Sequence, residues 1–346
     1  MATITYLLNK ERTHLMTETD RATLIGLPIP ERLAYVENIR IWYPRMTAIF
    51  EAVRTNHTLN YLSAEPQCMM VVGPTGVGKS TVLNSYANLY PRQVLETTTH
   101  LPVLKITVPA RATIRNFVTK LLLAVGDPLA DRGTVGSQEL RLLRYLEDCQ
   151  VGLLIVDDLQ HFVDRDSERV LHDVSNWLKN LVKERHLACV IAGLPESEQV
   201  VSVNPQLGRL FGDPYPLHPF TWNAQQPATV GEFRTFLDTL ETLLPLPEPS
   251  HLAAVETAWR CFVASGGGMA HLMNLIRRAT YFAIQRAEPS LTLPLLALAY
   301  DNRLAGGRRG IANPFIGDLP PVIVEPDIPL PGRATNRRSH PLRKTS

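Results

Sequence analysis

Continuous apolar runs occur at intervals along the chain, and segments with apolar residues at helical spacing separate them. The runs cover residues 67–72, 101–108, 151–156 and 187–192, with a shorter candidate at 215–220. Strands that are apolar throughout, without polar alternation, are typical of a parallel sheet buried on both faces. Intervening segments such as residues 113–125 carry their apolar residues on one helical face. The alternation predicts an α/β fold with a parallel sheet flanked by helices.

The pattern turns helical after the last of these runs. We therefore expect an N-terminal extension at residues 1–30, a base domain at 31–223 and a small all-α lid at 224–304. From residue 305 to 346 the composition shifts to Gly, Pro and Arg, which predicts a flexible tail. Isolated apolar residues in this tail are candidates for contact with a partner: Phe315, Ile323 and Val324.

Composition narrows the class of protein without defining a function. The formal net charge of +2 is too small to indicate nucleic acid, so any DNA contact must come from local patches such as residues 303–346, with eight Lys or Arg and three Asp or Glu. Four widely separated cysteines without a CxxC pair indicate neither a disulfide framework nor a zinc site. No run approaches the roughly 18 apolar residues of a membrane span. We expect a cytoplasmic protein without a membrane partner.

A glycine-rich loop follows the first apolar run and opens into a helical segment. The sequence from Gly73 to Ser80 matches the pattern Gly-x-x-x-x-Gly-Lys-Ser of a phosphate-binding loop. In such a loop the backbone N–H groups and the following helix N-terminus point at the phosphates. Lys79 is predicted to reach the β- and γ-phosphates, and Ser80 to ligate Mg²⁺. The candidate ATP-binding residues are Gly73, Pro74, Thr75, Gly76, Val77, Gly78, Lys79, Ser80 and Thr81.

Two carboxylates end the apolar run at residues 151–156. A metal–nucleotide site requires an acidic strand end as well as a phosphate loop, and both occur here in the expected order. Asp157 is predicted to hold Mg²⁺ with Ser80, and Asp158 to orient the attacking water. After the next run, residues 192–195 supply no Asn, Ser or Thr to touch that water.

A short helix capped by Asn204 carries an arginine near its end, at Arg209. In a ring or filament an arginine in this place can reach the γ-phosphate of a neighbouring subunit, and we take Arg209 as a candidate catalytic residue. A surface arginine on a packing helix is the alternative. A second capping residue, Ser137, predicts a helix over residues 137–149.

Arg111, Arg115 and Lys120 lie off the apolar face of the predicted helix at 113–125. They are candidates for contact with DNA phosphates, which need cations near the backbone and no sequence code. A solvated helix face explains them equally well.

Aromatic and basic residues flank the nucleotide motifs in the sequence. Trp42 and Tyr43 precede the first strand and have two possible roles, covering an adenine base or packing under a helix. Arg277 and Arg278 lie in the predicted lid, where they could approach the nucleotide or face solvent.

The order of these motifs matches an AAA+ ATPase. More narrowly, the chain resembles the TniB/TnsC family of transposition regulators of Tn7-like and Tn5053-like elements, including CRISPR-associated transposons. The resemblance extends over roughly residues 30–290 and is carried by residues 40–44 (Arg-Ile-Trp-Tyr-Pro), 72–80, 154–160, 192–196 and 206–211. The chain departs from the pattern at Asp158, where hydrolysing relatives have a glutamate, at Leu194, and at His271, near which a lid arginine often begins a helix.

This resemblance implies a protein that binds ATP and Mg²⁺ and assembles head to tail around duplex DNA as a ring or filament. It also implies that the assembly marks a target for a transposase, guided by a target-selector protein or an RNA-guided complex, and that hydrolysis dissolves it. On DNA the protein would be associated with the nucleoid. The departures from the pattern predict slow hydrolysis.

Two other classes of P-loop protein remain open from the residues alone. A hub-forming signalling NTPase would assemble without DNA. A small-molecule kinase would need an acceptor pocket and a mobile, arginine-rich lid, and would need neither Arg209 nor a basic tail.

Overall fold

A computed structural model describes residues 18–110, 112–163, 168–303 and 312–321. Its strands are β1 (Cys68–Val72), β2 (Gln93–Val94), β3 (Thr99–His100), β4 (Val103–Thr107), β5 (Leu153–Asp157), β6 (Ala188–Gly193) and β7 (Tyr215–Pro216). Five of them form a central parallel sheet with the strand order β4-β5-β6-β1-β7, and β2 and β3 form a separate two-stranded antiparallel ribbon. The predicted α/β fold class is confirmed.

The register of the sheet brings the predicted nucleotide motifs to one edge. Val72 at the end of β1 pairs with Gly193 at the end of β6, and Thr107 of β4 pairs with Asp157 of β5. Since all these strands are parallel, the loops that follow β1, β5 and β6 lie side by side at their carboxyl ends.

Helices cover both faces of the sheet, and further helices form the lid. They are α1 (Glu18–Ile25), α2 (Ile29–Asn38), α3 (Pro44–Asn60), α4 (Lys79–Ala87), α5 (Ile114–Val125), α6 (Val135–Asp148), α7 (Glu168–Glu184), α8 (Glu198–Ser202), α9 (Pro205–Phe211), α10 (Pro227–Thr242), α11 (Val255–Ser265), α12 (Met269–Gln285) and α13 (Leu293–Arg303). Short 3₁₀ turns at Leu159–Phe162 and Pro195–Ser197 follow β5 and β6.

Alternate residues of the strands enter two separate cores. On β5, Leu153 and Ile155 face a core shared with α2, α3, α4 and the lid helices, while Leu154 and Val156 face a core built with α5, α6 and α7. Burial on both faces explains why these strands are continuously apolar in the sequence. The first core also joins the lid to the base domain, because lid residues such as Phe236 belong to the same cluster.

The predicted helix cap at Ser137 is wrong. Helix α6 begins earlier, and the side chain of Thr134 accepts a hydrogen bond from the Ser137 N–H at 3.2 Å. Thr134 takes the extended backbone conformation of a capping residue directly after Gly133, which has a positive φ of 92°.

The predicted strand at residues 215–220 is also too long. Leu217 still donates its N–H to the Val72 carbonyl at 2.7 Å, but the Phe220 N–H donates to Gly267 of the lid at 2.9 Å. The chain therefore leaves the sheet after Leu217 and turns towards the lid. Pro219, which has no N–H to donate, lies in this turn.

Part of the predicted flexible tail is folded onto the lid. Phe315 is buried against Tyr300 of α13, and the Trp259 indole N–H donates to the Pro320 carbonyl at 2.7 Å. Arg260, itself buried, donates to the Pro314 carbonyl at 2.7 Å. The expected role of Phe315 as a contact for a partner is therefore wrong. Ile323 and Val324 lie outside the described residues.

The predicted N-terminal extension also packs on the lid where it is described. Leu24 of α1 is fully buried, and Arg21 donates to the Glu241 carbonyl of α10 at 3.2 Å. Arg32 of α2 donates to the Pro245 carbonyl at 2.6 Å. The segment ahead of the base domain thus helps to hold the lid in position.

Candidate nucleotide site

At three positions the loop between β1 and α4 requires glycine, because of either backbone conformation or lack of space. Gly76 and Gly78 have positive φ values of 80° and 108°, a region that favours glycine. At Gly73 a Cβ atom would clash with the carbonyl of Leu217. The loop therefore keeps its backbone free to surround an anion at the N-terminus of α4, as the sequence predicts.

Lys79 lies at the start of α4 with its ammonium group turned back over the loop. Its Nζ donates to the carbonyl oxygens of Gly73 at 2.6 Å and Pro74 at 2.9 Å, and the side chain is buried. Burial lowers the pKa of Lys79, whereas the nearby Asp157 and Asp158 act in the opposite direction. A buried cation held only by carbonyl oxygens is suited to exchange these partners for phosphate oxygens.

The two carboxylates after β5 have different environments. Asp157 is only 2% exposed, accepts the Asp158 N–H at 3.1 Å and pairs with the ammonium of Lys105 at 3.2 Å. Asp158 takes the left-handed conformation, with a φ of 59° and a ψ of 44°. This turn sends the two side chains in different directions, and of the two it is Asp158 that lines the cavity above the phosphate loop.

A cavity of about 320 Å³ lies between the phosphate loop, the segment before α3 and helix α12. Its size is within the range of small-molecule sites. The phosphate loop and the start of α4 supply polar lining residues, including Lys79, Ser80 and Thr81. The apolar lining comes from the segment before α3, from α3 and from the lid: Ile39, Ile41, Met46, Met269, Ala270 and Met273. The arrangement fits a nucleotide with its phosphates in the loop and its base against apolar side chains of this lining.

Trp42 and Tyr43 pack within the protein instead of lining this cavity. The Trp42 ring meets Phe50 edge-on, with 5.1 Å between centroids, and the buried Tyr43 donates its hydroxyl to the Val77 carbonyl at 3.3 Å. Of the two roles that the sequence leaves open for these aromatics, packing is the one the structure shows. The residues on either side of the pair, not the aromatics, supply the apolar wall.

The lid contacts the phosphate loop directly. The Ala270 N–H donates to the Gly76 carbonyl at 2.9 Å. Arg277, two turns further along α12, lines the cavity and donates to the Ile39 carbonyl at 3.0 Å. Burial and then the proximity of Arg40 lower the pKa of Arg277, which Glu37 opposes. Arg278 instead lies over two aromatic rings of its own helix and donates to Asn302 at 2.9 Å.

Arg209 lies outside the cavity of its own chain. The predicted cap is confirmed, since the Asn204 side chain accepts the N–H groups of Gln206 and Leu207 at 3.0 and 3.2 Å. The guanidinium of Arg209 pairs with Glu65 at 2.8 Å, and its side chain is 70% exposed. Arg209 is therefore accessible on the surface and held only by an exposed ion pair, which is weak.

Two of the three candidate DNA-binding residues are described, and they differ in exposure. Arg115 is exposed on α5 and donates to the Gly133 carbonyl at 3.3 Å. Lys120 is half-buried, and its ammonium donates to the Thr107 carbonyl at the end of β4 at 2.6 Å. Arg111 lies outside the described residues.

Gln160 is a site residue that the sequence motifs do not assign. It lies in the 3₁₀ turn after β5, lines the cavity, and donates its side-chain amide to Asp158 at 3.1 Å. Its side-chain oxygen accepts the Leu194 N–H at 3.2 Å. The only sequence signal is its position two residues after Asp158, which does not specify where the side chain points.

The sheet order, the phosphate loop after β1, the acidic pair after β5 and the helical lid define an AAA+ P-loop ATPase. The Aeropyrum pernix ORC1 protein in complex with DNA has a similar fold, with a TM-score of 0.55 and 17% identity over 82% of this chain and 69% of that one. The family profile described as "Bacterial TniB protein" matches residues 32–221, more than half of the chain, and the chain belongs to the TniB family.

Other solved structures share the fold at similarly low identity. Cdc6p from Pyrobaculum aerophilum gives a TM-score of 0.56 with 16% identity over 79% of this chain and 70% of that chain. The Aeropyrum pernix ORC2 protein, in its ADPNP–ADP complexes, gives a TM-score of 0.54 with 17% identity over 75% of this chain and 67% of that chain. A search of curated proteins returns no match. Among the described helices, none is both long and apolar enough to cross a membrane.

Proposed function

We propose that this chain is an ATP-dependent regulator of DNA transposition that assembles on target duplex DNA. In this role it recruits or activates a transposase, and ATP hydrolysis drives its disassembly. The observation that carries the proposal is the match to the TniB family over residues 32–221, a region that contains the whole phosphate loop, both acidic residues and Arg209.

The residues present fit ATP and Mg²⁺. The backbone of residues 73–81 and the ammonium of Lys79 would hold the phosphates, and apolar lining residues such as Ile41 and Met273 would contact the base. Ser80 and Asp157 would hold Mg²⁺, which neutralises charge on the phosphates when bound. Asp158 lines the cavity, which supports its proposed role in orienting a water molecule. Because its side chain is one methylene shorter than glutamate, we expect slow turnover.

The position of Arg209 supports assembly in which two chains share one nucleotide. Since this arginine is exposed and lies outside its own cavity, it can serve a γ-phosphate only in a neighbouring copy. Arginines that act in this way raise hydrolysis rates by on the order of 10³ to 10⁵. A nucleotide held between two copies would link the stability of the assembly to the presence of the γ-phosphate.

Contact with DNA is proposed to involve the phosphate backbone and to weaken with salt. Arg115 is exposed and available for such a contact, whereas Lys120 must first release the Thr107 carbonyl. The similar ORC1 protein from Aeropyrum pernix was solved in complex with DNA. A target selector, either a protein or an RNA-guided complex, is proposed as a further partner.

The proposal is tested by imaging and gel filtration of the purified protein with and without duplex DNA and a non-hydrolysable ATP analogue. We expect rings or filaments only when both are present, and their loss in Lys79→Ala. Assembly with the analogue but without DNA would favour a signalling hub. A monomer under every condition would contradict assembly altogether and favour a small-molecule kinase.

A further inference from the structure

No Asn, Ser or Thr occurs at the end of β6, because residues 192–195 are Ala, Gly, Leu and Pro. The structure brings a polar side chain to this place from a different strand. Gln160, in the turn after β5, reaches the Leu194 N–H at 3.2 Å and the Asp158 carboxylate at 3.1 Å. One amide therefore joins Asp158, which follows β5, to Leu194, which follows β6.

The two contacts fix the orientation of the Gln160 amide. A backbone N–H can only donate and an ionised carboxylate can only accept. The side-chain oxygen must then face Leu194, and the NH₂ group must face Asp158. An amide nitrogen carries two N–H groups, so the contact with Asp158 leaves a second donor on the same side of the cavity.

Gly193 supplies the space that this arrangement needs. A Cβ atom at Gly193 would lie 2.9 Å from the Gln160 side-chain oxygen and would also clash with the hydroxyl of Ser197. Since the φ of Gly193 is not positive, the backbone conformation does not require glycine there. The close approach of Gln160 and Ser197 gives the reason for this glycine.

We propose that Gln160 is a positioning residue for ATP hydrolysis, which holds the Asp158 carboxylate at the cavity wall. This inference rests on the proposed role of Asp158 in orienting water. Asp158 has a left-handed backbone conformation and lines the cavity, and Gln160 donates a hydrogen bond to its carboxylate. The same amide ties that carboxylate to the end of β6, so it replaces the polar residue missing from β6 by acting through Asp158.

The first test replaces Gln160 by leucine, which has a similar volume and no hydrogen-bonding group. We expect Gln160→Leu to lower kcat by on the order of 100-fold, as misplacement of a reacting group by about 1 Å does. Affinity for a non-hydrolysable ATP analogue should change much less than kcat, because the two hydrogen bonds of Gln160 run to Asp158 and Leu194 and not to the phosphate loop or Lys79. The matched control is Gln199→Leu, at an exposed position of α8.

Gln160→Glu separates the two contacts. A carboxylate can still accept the Leu194 N–H, but it cannot donate to Asp158 and would repel it. If Gln160 positions Asp158, this variant loses at least as much turnover as Gln160→Leu. Retention of turnover in Gln160→Glu would show that the link to Leu194 is all that matters, and would overturn the proposal.

A double-mutant cycle tests whether Gln160 acts through Asp158. Asp158→Asn suits the left-handed backbone at this position and removes the carboxylate. If Gln160 works only by holding Asp158, adding Gln160→Leu to Asp158→Asn lowers kcat no further. Multiplicative effects of the two substitutions would overturn the proposal.

The assay requires only ATP turnover, so its failure is distinct from failure of the transposition proposal. If Gln160→Leu turns over ATP at the wild-type rate, the positioning role of Gln160 is contradicted and the proposed transposition function is not affected. Absence of DNA-dependent assembly contradicts the proposed function and leaves the turnover comparison intact. If Gln160→Leu does not fold, as shown by thermal unfolding, the comparison of Gln160→Glu with wild type decides the question.

Discussion

Lys105 and Asp157 form a buried ion pair at the end of the sheet where Mg²⁺ is proposed to bind. The Lys105 side chain is 14% exposed and its ammonium lies 3.2 Å from the Asp157 carboxylate. Asp157 cannot serve a metal fully while it is bound to this cation, because the two positive charges compete for the same oxygens. Lys105 thus compensates the buried carboxylate when no metal is present, and its contact must weaken when a metal binds.

Replacement of Lys105 by methionine is expected to alter the effect of Mg²⁺ on thermal stability more than it alters the affinity for the nucleotide. Without its partner the buried Asp157 destabilises the nucleotide-free protein by about 3 kcal/mol. Mg²⁺ bound with an ATP analogue would again compensate the negative charge of Asp157. The rise in Tm on adding both should therefore be larger in Lys105→Met than in wild type. Thermal unfolding with the analogue, with and without Mg²⁺, measures this difference.

The control for that measurement is Lys183→Met, at an exposed position in the last turn of α7. It should leave both the initial Tm and the Mg²⁺-dependent rise unchanged. A smaller rise in Lys105→Met than in wild type would mean that Lys105 contacts the bound nucleotide and does not compete with the metal.

At the scale of elements, features carried by contiguous residues were predictable from the sequence. The apolar strands β1, β5 and β6 and the phosphate loop follow from local patterns, since burial on both faces and anion binding leave a local signature. The start of α9 is equally local, because Asn204 caps the helix that it precedes. The start of α6 could not be predicted locally. Thr134 and Ser137 are both suitable capping residues three positions apart, and tertiary context selects Thr134.

Contacts between distant segments were not predictable in this way. Gln160 reaches Leu194 across 34 positions of sequence, and its role depends on the adjacency of β5 and β6. The apolar wall of the cavity combines Ile39 with Met269, which no periodicity connects. In the sequence Phe315 lies in a segment rich in Gly, Pro and Arg, which predicts a flexible tail. In the structure Arg260 and Trp259 donate hydrogen bonds to carbonyl groups of the same segment and hold it against the lid.

A pair of glycine substitutions tests the fit between the phosphate loop and α12. Gly76 has a positive φ, and a Cβ atom there would lie 2.8 Å from the Cβ of Ala270. We expect Gly76→Ala to lower the free energy of unfolding by about 1–3 kcal/mol from backbone strain and to weaken nucleotide binding. Chemical denaturation and titration with a fluorescent ATP analogue measure the two effects.

Gly136 provides the matched substitution for this test. It lies in the first turn of α6, and a Cβ atom there would meet no atom within 4 Å. Gly136→Ala should therefore leave nucleotide binding unchanged and stabilise the protein slightly, by up to about 1 kcal/mol. Equal behaviour of the two variants would show that the contact between loop and lid is not tight.

For the molecule as a whole, the lid and the base domain are joined around the cavity by hydrogen bonds and a shared hydrophobic core. The Phe220 N–H bonds to Gly267, the Ala270 N–H bonds to Gly76, and the first hydrophobic core runs through both parts. Closely packed cores are not continuously deformable. A shift of the phosphate loop on nucleotide binding would therefore be transmitted directly to the lid.

Mixing two inactive variants tests whether neighbouring copies share a site. Arg209→Ala keeps its own Asp158, and Asp158→Asn keeps its own Arg209, so each variant alone should lack complete sites. In a head-to-tail assembly of equal amounts, about one contact in four joins an intact Asp158 to a neighbour's intact Arg209. ATP turnover per chain should rise on mixing to about a quarter of the wild-type value, measured with duplex DNA present.

The control mixture combines Arg209→Ala with a chain that carries both substitutions, and it should show no recovery because no contact contains both groups. Loss of the exposed ion pair between Arg209 and Glu65 costs at most about 1 kcal/mol, so inactivity of Arg209→Ala would not reflect unfolding. Full turnover by Arg209→Ala alone would show that this arginine serves no γ-phosphate. Lack of recovery in the first mixture would show that each chain completes its own site, and a shared nucleotide could then no longer explain assembly.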